Sequence, residues 1–199
     1  SASVKLARAF YERDDVVSVS RDLLGKVLCT RLRDKVTSAI ITETEAYAGI
    51  SDRASHAFGN RRTTRTEPIY GPGGRAYVYL CYGIHHLFNV VTSQAGTPHA
   101  VLIRAALPLE GTGTMRRRRK RRLKDASLMT GPGTVSQALG IRTTMSGTDL
   151  RGDRIWIEDR GIAIHPDDVI VGPRVGIDYA GEDAARPYRF TTKKPVLTL

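Results

Sequence analysis

Short apolar stretches rich in β-branched and aromatic residues, separated by Gly, Pro, Ser or Asn, recur through the first half of the chain. They are KVLCTRL (26–32), TSAIITETEAY (37–47), RAYVYLCYG (75–83), HHLFNVVTS (85–93) and HAVLIRAAL (99–107). That composition predicts strands, and connections this short favour antiparallel neighbours. Near the N-terminus the pattern changes. VKLARAFYERDD is amphipathic, with Leu6 and Phe10 four apart, and SRDLLGKVL opens on Ser20, a good helix cap, so two short helices are predicted there. EGTGTMRRRRKRRLKD and GPGTVSQALGI read as two more, the second with Pro132 in its first turn and Gly140 at its end. Strands return in RIWIED, DVIVGPRVGID and YRFTTKK. The pattern predicts a mixed α and β fold of the α+β kind, with no repeat or linker dividing the chain, so residues 1–199 form one domain.

Composition agrees. In a chain of 199 residues, 41% hydrophobic content can build a core without disulfide or metal support. No long uncharged apolar run is present, and the opening SASVKLARAFYERDD lacks the apolar centre of a signal peptide, so a soluble, intracellular protein with no membrane contact is expected. Cys29 and Cys81 are far apart and argue against a disulfide framework or a cysteine-based zinc site; both are expected to be small buried residues.

The net charge of +11 changes the picture more. Eight of the nine residues in RRRRKRRLK (116–124) are basic, and without them 23 Lys and Arg face 20 Asp and Glu. One cationic segment on a nearly balanced globule is the electrostatic footprint of a protein that lies against phosphates, although a bare charge run is more often just a solvated loop.

Candidate chemistry centres on TETEAYAG (42–49). In an extended backbone Glu43, Glu45 and Tyr47 share one face, and two acids beside a ring are not buried without a reason. In RAYVYLCYGIHHLFNVV, read as a hairpin, Tyr77, Tyr79 and Cys81 point one way, and a turn near Gly83 puts Tyr82 at the tip, where a ring can act as a wedge between base steps. Tyr77 reads as a half-buried packing residue, and His85 and His86 as a solvent- or DNA-facing pair. Arg104, alone among apolar strand residues, needs a buried partner such as Glu45.

These motifs carry a resemblance. ETEAYAG, a histidine nine residues past its tyrosine, YVYLCYGIHHLFNVV, VLIRAALPLEG, GPGTVSQALGI and PRVGIDYA occur in order over roughly residues 15–192 and are similar to the alkyladenine (3-methyladenine) DNA glycosylase family. The resemblance implies a curved, mainly antiparallel sheet flanked by helices. It also implies a DNA repair enzyme that flips damaged purines out of duplex DNA and hydrolyses their N-glycosidic bonds. By the same resemblance Glu45 is the general base, with Arg104 and the Val175 carbonyl holding its water. Tyr47, His56 and Tyr79 sandwich the flipped base, Asn89 crowds the amino group of guanine, and Tyr82 fills the gap in the duplex. Arg61, Arg116, Arg117, Arg118, Arg119 and Lys120 are expected to contact DNA, the run gripping phosphates beside the lesion.

An ionised carboxylate beside a cationic sugar transition state, with a held water, suits this chemistry, and rings that stack on cationic bases suit its selectivity. No lysine lies in the motifs, so a monofunctional enzyme without cofactor or metal is expected, acting as a monomer on 3-methyladenine, 7-methylguanine, hypoxanthine or ethenoadenine. Glu43 is expected to be structural, paired with an arginine, and Asn89 could simply satisfy a neighbouring backbone. RTTRTEPIYGPGG departs from the family pattern, which puts DNA contacts in that loop in question. The long N-terminal extension of mammalian relatives is missing, which favours a bacterial, cytoplasmic and nucleoid-associated enzyme; a eukaryotic one would be nuclear. Two rival classes are a non-catalytic nucleic-acid-binding module and a metal-dependent nuclease built on Glu43, Glu45 and Asp52.

Overall fold

A strand of 14 residues, Lys35–Ala48 (β3), is the axis of the architecture. The computed structural model describes residues 3–192. Ahead of β3 come Val4–Lys5 (β1), helices Arg8–Tyr11 (α1) and Val16–Asp22 (α2), and Val27–Leu32 (β2); after it come Ala76–Cys81 (β4), His85–Thr92 (β5) and His99–Glu110 (β6). Helices Thr112–Arg119 (α3) and Pro132–Leu139 (α4) follow, then Ile155–Asp159 (β7), Val169–Gly172 (β8) and Arg189–Thr192 (β9). The sheet runs β1-β7-β2-β3-β6-β5-β4, and each strand pairing among the described residues is antiparallel. One edge of β3 pairs with β6; the other pairs with β2 over residues 35–40 and then with β9 over residues 43–45. One face of the sheet is covered by the helices, with Val19 of α2, Leu23 just past its end, Met115 of α3 and Leu139 of α4 in the main core against Leu28, Ile41 and Phe88. Each such buried side chain contributes about 1.5–3 kcal/mol. No helix among the described residues is long and apolar enough to cross a membrane.

The fold is thus a single compact mixed domain with a mainly antiparallel sheet, as the pattern predicts, and the five central strands fall where expected. Four local expectations are corrected. Val4 and Lys5 pair with β7 and leave only four residues of helix after them. The second helix begins at Val16, because the Asp15 side chain accepts from the Val17 and Ser18 amides; Ser20 lies inside it, buried, and donates to the Thr44 hydroxyl at 3.0 Å. The arginine-rich helix stops at Arg119, with Lys120 left-handed at φ 55°, as like charges one turn apart repel along a helix. DVIVGPRVGID is a strand only over Val169–Gly172. Lys193 and Lys194 of YRFTTKK lie outside the described residues. Cys29 is buried and its thiol pushed up to about 12 by burial, whereas Cys81 is only half-buried.

Candidate active site

The site is created by a break in the alternation of β3. Ala39 and Ile41 point into the main core, but so do Ala46 and, partly buried, Ala48, so the core-facing parity changes between them. The register against β6 is irregular at Ile41, Glu43 and Thr44, and Thr42 and Arg104 drop out of the pairing. A bulge of this kind shifts every later side chain to the other face. It takes Glu43, Glu45 and Tyr47 off the core side, and β6 makes the matching change between Ile103 and Ala106, which frees Arg104 to join them.

There the side chains line a cavity of about 670 Å³ walled by Tyr47, His56, Tyr77, Tyr79, Asn89 and Val175, with Glu45 and Arg104 among its lining residues. Glu45 is 0% exposed. Its Oε2 accepts from the Val175 amide at 2.7 Å, its Oε1 accepts from the Tyr47 hydroxyl at 2.8 Å, and the Arg104 Nη1 stands 3.8 Å from Oε1. Burial pushes the Glu45 carboxyl above its ordinary value, while Arg104, the Val175 amide and the Tyr47 hydroxyl pull it back. Arg104 has a closer partner than expected: its Nε donates to Glu43 at 2.9 Å. Glu43 also accepts from Arg189 at 3.3 Å and from the Thr191 hydroxyl at 3.1 Å, so it is the arginine-paired acid. Asp52, which a metal-ion reading groups with these two acids, instead accepts from Arg174, Ala48 and Ala54.

The rings come together, with a difference. His56 and Tyr79 are in direct edge contact, centroids 4.4 Å apart, so no base fits between them. The His56 Nδ1 lies 2.8 Å from the Tyr77 hydroxyl. Burial, aided by Arg65 and Arg61, lowers the His56 pKa to about 4 and keeps the ring neutral at pH 7. Asn89 is buried and its amide donates to the Tyr77 and Leu87 carbonyls at 3.2 and 3.4 Å, so it does satisfy neighbouring backbone while lining the cavity.

Tyr82 stands at the tip of the β4–β5 hairpin, 92% exposed and left-handed at φ 52°, followed by Gly83 at φ 71°. His86 is not solvent-facing as a pair with His85: its Nδ1 accepts from the Thr143 amide at 3.0 Å. Arg61 is exposed. The alternative that the arginine run is only a solvated loop does not hold for all of it. Arg116 pairs with Asp125 and donates to the Leu123 carbonyl; Arg118 donates to the Ala138 carbonyl at 3.0 Å, capping α4; Arg119 donates to the Leu128 and Ser127 carbonyls. Arg117, Lys120, Arg121 and Arg122 are exposed. The opposite end of α4, Gly131–Thr134, lines the cavity, so the helix separates run from cavity by about 12 Å.

Three contributors escaped the sequence reading. Arg65 lines the cavity with its guanidinium 5.3 Å from the Tyr79 ring centre, and Tyr179 lines its mouth, largely exposed. Arg174 is buried beneath the site and forks onto Asp52. An arginine directly before the Val175 motif was the only available signal for it.

The sequence profile of the family described as Methylpurine-DNA glycosylase (MPG) matches residues 9–195. The chain is 46% identical over 186 residues to a protein of Chlamydia abortus provisionally named 3-methyladenine DNA glycosylase, covering 93% of this chain and 96% of that one. Proteins given the same provisional name in Desulfitobacterium hafniense and Clostridium acetobutylicum are 42% identical over 193 residues (94% of each chain) and 43% identical over 197 residues (96% of this chain, 95% of the other).

Proposed function

The chain belongs to the methylpurine-DNA glycosylase family, and from that premise we propose that it removes damaged purines from duplex DNA by hydrolysing the N-glycosidic bond. The observation that carries this reading is Glu45: an acid held by the Val175 amide and Tyr47 hydroxyl, with a guanidinium beside it, on the wall of an aromatic cavity. The nucleotide rotates out of the helix and its base enters between Tyr47 and the His56–Tyr79 pair. Such extrusion costs a few kcal/mol, least for damaged or mispaired bases. A water reaching Glu45 as the Tyr47 hydroxyl gives way loses its proton to the carboxylate, and its oxygen bonds to C1′. The C1′–N bond breaks and its electron pair leaves with the base, neutralising the positive charge on an alkylated base, whereas a neutral base such as hypoxanthine departs as an anion and takes up a proton from solvent water. The products are free base and an abasic sugar. Arg104 holds the water, and the ionised Glu45 stabilises the cationic sugar.

Tyr82 fills the space the nucleotide leaves, and Asn89 crowds guanine. 3-Methyladenine, 7-methylguanine, hypoxanthine and ethenoadenine all suit a slot between rings. No lysine of the described residues lines the cavity, which supports a monofunctional enzyme without strand cleavage. The protein acts as a monomer of one domain on cytoplasmic, nucleoid DNA.

Incubation with an oligonucleotide carrying one 3-methyladenine or hypoxanthine, in the presence of EDTA, tests this. Free base should be released without strand scission. Glu45→Gln should lower release at least about 100-fold while still binding lesion DNA. An active Glu45→Gln variant overturns the assignment of the base. Activity that stops in chelator favours a metal-dependent nuclease, and binding without release in the unaltered protein favours a binding module.

A further inference from the structure

We propose that Arg174 is a positioning residue, which fixes where the Glu45 carboxylate stands by holding together the strand that carries it and the loop whose amide binds it. The proposal rests on the role given to Glu45 above. The guanidinium is buried and forked onto Asp52, Nη1 to Oδ2 and Nη2 to Oδ1, the latter at 3.0 Å. Nη1 also donates to the Ala46 carbonyl, the residue after Glu45, at 3.0 Å, and Nη2 to the Asp183 carbonyl at 3.0 Å. The residue after Arg174 is Val175, whose amide holds Glu45 Oε2 at 2.7 Å. One planar group thus anchors the strand that carries the acid and the loop that carries the acid's donor.

Its reach extends to the rings. The guanidinium carbon lies 4.9 Å from the Tyr47 ring centre and 5.0 Å from that of Tyr188, stacked against both. Asp52 accepts from the Ala48 and Ala54 amides, which bracket the loop leading to His56. Three segments that supply the base, two of the rings and the backbone donor meet on this one side chain. A lysine keeps the charge but cannot fork or stack in the same way.

A role confined to stability and a role in placing Glu45 differ in what they move. The charged and titratable groups facing Glu45 are Glu43 and Tyr47 on its own strand, Arg104 of β6, Tyr79 of β4 and Tyr179 of the 178–185 turn; Arg189 of β9 is bound to Glu43. All remain in the variant Arg174→Lys. The Val175 amide favours the ionised acid, so its displacement raises the pH at which Glu45 loses its proton. In Arg174→Lys, single-turnover base release should fall about 100-fold, the size expected of a small misplacement, with lesion-DNA affinity nearly unchanged. The acid limb of the rate profile should move up by about one pH unit. Tyr188→Leu, which removes one stacking plate, should move the limb the same way by less.

The titration of Glu45 followed by ¹³C-carboxyl NMR, its signal assigned by loss in Glu45→Gln, reads the same shift without catalysis. Folded variants that are less heat-stable but whose Glu45 titration is unmoved overturn the proposal. Should Arg174→Lys fail to fold, Tyr188→Leu decides alone, an unmoved titration counting against it. Absence of base release from the unaltered protein would sink the functional reading, while the NMR titration would still decide the role of Arg174.

Discussion

At the scale of single residues, burial acts on the charge of groups around the cavity. His56 is the clearest case. Burial holds its folded pKa at about 4, below the ordinary value of 6.5. Between those values the unfolded chain binds more protons than the folded one, so stability rises with pH across the interval. The contribution is fully present above about 6.5 and is lost as pH falls towards 4. Urea unfolding at pH 7, 5.5 and 4.5 should show wild type losing more stability on acidification than His56→Gln; equal losses would mean that the ring is not held neutral. Neutrality matters for function, since a cationic imidazole would repel an alkylated, cationic base. Glu45 and Tyr47 were legible in the sequence because a carboxylate and a phenol two apart in a strand must share a face. Arg174 was not, because its partners Ala46 and Asp52 are brought to it from the far end of the chain.

At the scale of elements, the bulge in β3 decides which residues become a site. Thr42 is the unpaired position, the one extra residue that takes Glu43, Glu45 and Tyr47 off the face of Ile41. A strand of the same length without the bulge would turn all three into the core, where carboxylates buried without partners cost several kcal/mol each, against a total stability of about 5–15 kcal/mol. Thr42→Ala keeps the extra residue and should therefore fold normally and release base at the rate of the unaltered protein; a large loss of either would show that the threonine side chain, and not the residue count, sets the bulge. The strands themselves were legible because β-branched runs bounded by Gly and Pro allow little else. α4 was legible because Pro132 and Gly140 mark its ends. The bulge was invisible because register belongs to a pair of strands, and the first helix was misread because the strand that claims Val4 and Lys5 is β7, near the other end of the chain.

At the scale of the whole molecule, the net charge of +11 overstates what DNA can meet. Arg116, Arg118 and Arg119 are spent on turns and on the end of α4, leaving Arg117, Lys120, Arg121, Arg122 and Lys124 facing water. Changing those five to Gln should weaken DNA binding and flatten its dependence on salt, by roughly one unit of log–log slope for each phosphate no longer neutralised. The single-turnover rate at saturating protein should stay the same, because the segment stands a helix length from the cavity; an unaltered salt slope would place the DNA elsewhere. The hairpin tip has a chemical consequence as well. Tyr11 and Tyr77 are buried, Tyr47 and Tyr79 partly so, and the hydroxyls of all four resist ionisation, whereas the Tyr82 phenol is almost wholly in water. Phenol-directed nitration or iodination therefore reaches Tyr82 ahead of those four, and a duplex seated on the tip would shelter it, so the molecule carries its own footprinting handle on the face proposed to meet DNA.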